Sequence, residues 1–195
     1  MWLNFTNADL ISWQQVASFA KEHVLPNILT WDNQGYFPHS FWETLGKNGY
    51  LGLTFPKTIG GAGGTAVRLA ATLDAFAYGG KDLGIVNSWG IHSAMVGMAI
   101  SRVGTKNQQR KYLPAMASGE IMSAFALTEP DAGSDIASIE TTARRYNDEY
   151  VISGRKAFVT NAPQANLFLV VAKIGTGSSH DFTAFLVDRD TQGLV

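Results

Sequence analysis

Residues 125–135 read Phe-Ala-Leu-Thr-Glu-Pro-Asp-Ala-Gly-Ser-Asp. Thr128 and Ser134 bring hydroxyls, the Gly-Ser turn brings backbone N–H groups, and Glu129, Asp131 and Asp135 bring carboxylates. Donors gathered in one turn suit a planar heterocycle rich in acceptors, or a phosphate. Phe125 and the Phe158 of Lys156-Ala-Phe-Val-Thr-Asn161 could wall such a ring. A β-hairpin with core aromatics is the alternative, and spacing leaves both readings open. The three carboxylates could act as general bases. In a turn before Gly and Ser, however, carboxylates more often accept backbone N–H bonds.

Other constellations are weaker. Gly61-Ala-Gly-Gly-Thr-Ala66 fits G-x-G-x-x-A and opens a helix. A dinucleotide fingerprint also needs a preceding strand and a βαβ unit, and Pro56 and Lys57 interrupt what comes before. We read it as a structural loop with close backbone approach. No two of His23, His39, His92 and His180 have the spacing of helical metal ligands. His92 lies on an apolar helix and reads as a satisfied core or interface histidine. The sequence has no Gly-x-Ser-x-Gly, so an esterase elbow has no support.

Composition narrows the class. The 195 residues are 46% hydrophobic and 16% charged, as expected for a globular chain able to bury a substantial core. Fifteen Lys+Arg against 16 Asp+Glu leave a net charge of −1, with no electrostatic footprint for nucleic acid or an anionic membrane. The sequence has no cysteine, which excludes disulfides, thiolate metal sites and iron–sulfur clusters. With no basic patch and apolar run at the N-terminus, a cytoplasmic protein is expected. The apolar window 85–103 carries Asn87, His92 and Arg102 and is read as a buried helix rather than a membrane span.

Two kinds of element must position these groups. Up to residue 119 the apolar period is helical. Thr6 and Asn7 cap a helix to about Val24, on a stripe that includes Leu10, and Pro26 ends it. A short helix around Phe41, Trp42 and Leu45 stops at Gly46 and Gly49. Helices follow over 65–78, closed by Gly79-Gly80, and over 83–103, ended by Gly104. Thr105 to Gln108 is a capping box opening a fifth helix, which Pro114 is expected to bend or restart. From Ile121 the period changes. Strands are expected over 121–127, 139–145, 150–152, 157–160, 167–174 and 182–187, with turns at Asn147-Asp148 and 175–179. This order implies an α+β multidomain chain: a helical domain over 1–120 and a β domain over 121–195. The last strand candidates leave an open edge, so the β unit is expected to be incomplete or completed by another chain.

Ala126-Leu-Thr-Glu-Pro-Asp-Ala-Gly-Ser-Asp135 resembles the signature of the acyl-CoA dehydrogenase flavoprotein family. Four supports follow the same order: the segments at 55–64, 103–108, 112–120 and 154–161. The resemblance covers nearly the whole chain and is specific to the family, not to a substrate. It implies an all-α N-terminal domain, a β-barrel-like middle domain and a C-terminal four-helix bundle. Only the first and most of the second are represented here. It implies FAD as cofactor. Phe125, Leu127 and Thr128 should line the flavin, with Thr128 bonding near N5 or O4. Ser134 should meet the diphosphate or the incoming acyl thioester. Phe158 should cover the isoalloxazine ring where the family often has Trp, and Thr160 should bond near N5. Phe125 replaces a frequent Tyr.

The reaction implied is α,β-desaturation of an acyl thioester, carried by coenzyme A or a carrier protein. An electron-accepting flavoprotein and a homo- or hetero-oligomer are implied as partners. The family's base is a Glu of the C-terminal helical domain, so no catalytic residue is assigned in this chain. Three readings stay open. The chain is a truncated dehydrogenase, a split subunit whose partner supplies the bundle and base, or a non-catalytic scaffold or flavin-dependent oxygenase of the same fold.

Overall fold

A computed structural model describes residues 7–174 and 181–195, with side chains from Ser12 onward. The Thr6 cap, the burial of Leu10, the 175–179 turn and His180 lie outside the described residues. Packing divides the chain into two units, Met1–Glu120 and Ile121–Val195.

The first unit is helical. Helix α1 spans Asn7–His23, a single 3₁₀ turn at Leu25–Asn27 holds Pro26, and α2 follows over Ile28–Gln34. Helix α3 is His39–Lys47, running through Gly46; the left-handed residue beyond it is Gly49. Helix α4 is Ala66–Gly80, with the Thr65 hydroxyl accepting from Arg68 N–H as N-cap. Helix α5, Leu83–Gly90, continues through a π-helical stretch, Ile91–Gly97, into α6, Met98–Val103. Helix α7, Lys106–Ser118, opens on the Thr105–Gln108 capping box and closes on left-handed Gly119.

Two expectations fail here for identifiable reasons. Gly79 and Gly80 lie inside α4, and Lys81 takes the left-handed cap at φ 57. A Cβ on Gly79 would fall 2.0 Å from the Ala17 carbonyl oxygen, so that glycine serves backbone contact between α1 and α4. Pro114 does not restart α7, which runs unbroken from Lys106 to Ser118. It and Arg110, four residues earlier, are both exposed, a setting in which water can serve a carbonyl left without its N–H partner.

By length and composition, Leu83–Val103 is the one segment among the described residues long and apolar enough to cross a membrane. In this unit it is a core element. Trp89, His92, Ser93 and Val96 are fully buried against a core that includes Trp42, Leu51, Phe55, Phe76 and Leu113. Ser93 Oγ donates to Leu51 O at 2.7 Å, and His92 Nε2 lies 3.1 Å from Met116 O. Burial pushes the His92 imidazolium pKa down to about 4, against a smaller opposing effect of that carbonyl.

The second unit is a five-stranded mixed sheet: β1 Ser123–Ala126, β2 Thr142–Tyr146, β3 Glu149–Ser153, β4 Leu167–Ile174 and β5 Phe182–Asp188. Strand β4 is the axis. Antiparallel β5 lines one edge, from Leu167↔Asp188 to Lys173↔Phe182. On the other edge β1 pairs in parallel from Ser123↔Leu167 to Ala126↔Val170, and β2 joins beyond it at Lys173 and Ile174. Strands β2 and β3 form a hairpin turning at Asn147-Asp148, with Asn147 left-handed at φ 55. Strand β4 reads as an apolar run up to Ala172, and Leu167 and Ala172 are fully buried. Strands β3 and β5 have one neighbour each among the described residues.

The expected strand over 157–160 does not form; these residues lie in an irregular loop. Phe158 (φ 55) and Asn161 (φ 73) are left-handed, which breaks the pleat despite a run of good strand formers.

Candidate functional site

Strand β1 delivers the signature loop. Ala124 and Ala126 are buried at 0% and 3% on one face, where Ala124 packs with Ala165 and Phe168. Alternation puts Phe125 and Leu127, both half-buried, on the opposite face. The chain then leaves the sheet. Glu129 N–H donates to Ala132 O at 2.9 Å and Ala132 N–H to Glu129 O at 3.3 Å, closing a tight turn. Thr128 is half-buried at its entry and Ser134 is exposed at its exit. Among the described residues, neither the Thr128 nor the Ser134 hydroxyl has a side-chain hydrogen-bond partner.

The loop after β3 lies alongside. Ala157 N–H donates to Thr128 O at 2.8 Å, and Asn161 Nδ2 donates to Ser123 O at 2.9 Å. Val159 packs against the Ala124–Phe168 core, and Thr160 is half-buried. Phe158 is turned out, 91% exposed and left-handed. A bulky residue with positive φ is a backbone outlier, and such strain collects at ligand sites. The fold thus draws Thr128, Phe158 and Thr160 to neighbouring loops, with Phe125 and Leu127 on the strand leading in. Ser134 stands further along the loop, and among the described residues no hydrogen bond joins its side chain to the others.

One buried carboxylate holds this arrangement together. Glu129 is 6% exposed. Its Oε2 accepts from Glu140 N–H at 2.6 Å, and its Oε1 accepts from Thr141 N–H at 2.9 Å and from the Thr141 hydroxyl. Lys156 Nζ, 10% exposed, lies 2.8 Å from Oε1 and donates to Leu127 O at 2.9 Å. Burial pushes the Glu129 carboxyl up. The Glu140 N–H, the Lys156 ammonium and the two Thr141 donors outweigh it and bring the group down to about 2. So Glu129 is a turn carboxylate held ionised, not a proton acceptor poised near neutrality. Asp135 is a cap, accepting from Ala137 N–H at 3.2 Å and from the Ser138 hydroxyl. The sequence reading missed Lys156. Its only signal was a place in the 154–161 segment, and a pairing 27 residues apart has no local signature.

The glycine-rich loop behaves otherwise. Ala62 N–H bonds Gly52 O at 3.0 Å, Gly63 N–H bonds Phe55 O and Gly64 N–H bonds Leu53 O, both at 2.8 Å. A Cβ on Gly61 would lie 2.2 Å from Phe55 O. The donors that a phosphate would need are spent on the protein's own backbone. The first unit does carry an apolar groove of about 460 Å³ along α5 and the π-helical stretch. Leu83, Val86, Gly90, Ile91, Ala94 and Met95 line it, with Leu83 73% exposed. The described residues contain no cluster of His, Asp and Glu able to hold a metal.

Comparison with known proteins agrees with this layout. The family profile "Acyl-CoA dehydrogenase, N-terminal domain" matches residues 9–120 and "Acyl-CoA dehydrogenase, middle domain" matches 124–195. The mouse mitochondrial long-chain specific acyl-CoA dehydrogenase is 32% identical over 194 residues, 98% of this chain and 44% of that protein. The crystal structure of an acyl-CoA dehydrogenase from Geobacillus kaustophilus superposes with a TM-score of 0.91 at 30% identity. It covers 99% of this chain and 51% of that one. The FAD complex of PigA superposes equally well, TM-score 0.91 at 28% identity, over 99% of this chain and 51% of that one. The chain thus spans about half the length of the relatives it matches. It belongs to the acyl-CoA dehydrogenase family.

Proposed function

We propose that this chain is the helical and sheet part of an FAD-dependent α,β-dehydrogenase of acyl thioesters. The observation that carries the reading is the donor set beside an outward aromatic. Among the described residues, the Thr128 and Ser134 hydroxyls have no hydrogen-bond partner, and Phe158 is held open to solvent on a strained backbone. These groups fit a flat, acceptor-rich ring flanked by a phosphate chain. Thr128 would donate to the ring near N5 or O4, and Thr160 near N5. Phe158 would cover its face, and Phe125 and Leu127 would line it. Ser134 would bind the diphosphate or the thioester arm. FAD, when bound, supplies the hydride acceptor.

The groove lined by Leu83, Ile91 and Met95 suits an acyl chain, since it is apolar apart from Asn87. The family resemblance implies a proton-abstracting carboxylate on a C-terminal helical domain; within this chain Glu129 is held in an ion pair and Asp135 caps a turn. A helical domain or partner subunit, an electron-accepting flavoprotein, an oligomeric assembly and a cytoplasmic location complete the proposal.

The test is to purify the chain with the products of its neighbouring genes, follow flavin absorbance, and add acyl-CoA anaerobically. Bleaching is expected for the wild type. Thr128→Val and Phe158→Ala should weaken flavin retention or slow bleaching. Unchanged bleaching in both variants overturns the residue roles, and absence of FAD from every complex overturns the flavin reading.

A further inference from the structure

We infer that Glu129 and Lys156 are positioning residues, whose ion pair sets the separation of the two loops that carry the cofactor contacts. The inference rests on the flavin reading above. Three segments meet at the pair. They are the turn after β1 through Glu129 and Leu127 O, the approach to β2 through Glu140 and Thr141, and the loop after β3 through Lys156. Leu127 and Thr128 stand beside Glu129, and Phe158 and Thr160 stand two and four residues beyond Lys156. The backbone bond from Ala157 N–H to Thr128 O is the only other direct tie between residues 127–129 and 156–158 among the described bonds. Gly154 completes the packing, since a Cβ there would lie 2.3 Å from Thr141 Oγ1.

Stability alone does not account for the pair. Two well-packed apolar residues commonly serve a buried site as well as an ion pair does. What an apolar pair cannot supply is direction. Each Glu129 oxygen is aimed at named donors, and the Lys156 ammonium is aimed at both an oxygen of Glu129 and a carbonyl of the opposite loop. Such bonds fix the distance between the turn after β1 and the loop after β3, two strands that do not pair with each other.

This separates a positioning role from a merely structural one. Glu129→Gln, Lys156→Met and the apolar double variant Glu129→Leu/Lys156→Met are compared with wild type in the full chain. Melting temperature and amide hydrogen exchange are measured. Exchange is read at residues 157–160, which the carboxylate does not touch, against the β4 amides as reference. The single variants should speed exchange at 157–160 about tenfold while β4 changes less than about twofold. The double variant should recover melting temperature without recovering protection at 157–160. Uniform acceleration across the sheet in Glu129→Gln, or full loop protection in the double variant, overturns the proposal. Should the double variant not fold, Glu129→Gln, which keeps the side-chain volume, decides it alone. FAD added to each variant complex should bind about tenfold more weakly in step with the loop exchange. Loop loosening in complexes that take up no FAD, wild type included, overturns the flavin reading and leaves the clamp standing.

Discussion

Two loops of this chain each offer turn backbone to a ligand by sequence, and they differ in what they do with it. Residues 60–64 are almost pure glycine and open a helix, whereas residues 127–135 mix Thr, Glu, Pro, Asp, Gly and Ser after a strand. The first turns its N–H groups inward, onto carbonyls of residues 52–57. Among the described residues, the second closes its turn with two backbone bonds and leaves two hydroxyls without hydrogen-bond partners. Glycine content reports how closely backbones pass; a binding loop is recognised by donors that its own fold does not consume.

The same substitution should therefore have opposite consequences in the two loops. Gly61→Ala drives a Cβ to 2.2 Å from a backbone oxygen and is expected to destabilise the chain by about 3 kcal/mol or more in urea unfolding. Gly133→Ala meets nothing within 4 Å and should shift stability by less than about 0.5 kcal/mol. If the second loop approaches a cofactor, Gly133→Ala should still weaken flavin retention. Equal stability losses at the two glycines would break the comparison.

Acid should separate the two units next. His92 is in the first unit, buried on the π-helical stretch against Trp42 and Met116 O. Its folded pKa of about 4 lies below the ordinary value of 6.5, so the folded state resists the proton that the unfolded chain accepts. Its contribution is complete above pH 6.5 and is lost as pH falls toward 4. At ~1.4 kcal/mol per pH unit this is about 3 kcal/mol in all. Glu129 acts in a lower window. Its contribution is present above the ordinary 4.5 and fades as pH falls toward 2. Unfolding followed by amide exchange at pH 4.5–5 should show α5–α7 loosening while β1 and β4 stay protected. His92→Gln should flatten the upper limb of that pH profile.

A smaller effect sharpens the second loop itself. Thr128→Val keeps shape and removes one donor. It should cost flavin affinity about 1–1.5 kcal/mol, read by FAD titration of the complex, with melting temperature nearly unchanged. Ser134→Ala, at an exposed position, should cost less than Thr128→Val.

Much of this was legible from local chemistry. The capping box at Thr105, the left-handed stop at Gly119, the hairpin at Asn147 and the change of period at Ile121 are all decided within a few residues. The signature from Ala126 to Asp135 marked the candidate site for the same reason: turn residues and hydroxyls declare themselves by type. Other features depend on segments far apart. Gly79 reads as a helix stop until α1 is seen against it, and Pro114 reads as a break until it is seen inside an unbroken α7 at an exposed position. Residues 157–160 have strand propensity, but Val159 is drawn into the core while Phe158 is forced outward on a left-handed backbone. Glu129 finds Lys156 across 27 residues. Propensity, capping and turn chemistry are short-range, so the sequence by itself determined the elements and the candidate loop. Backbone proximity, buried charge pairing and strained exposure are properties of packed neighbours, so only the tertiary structure decided which loop is filled and which is open.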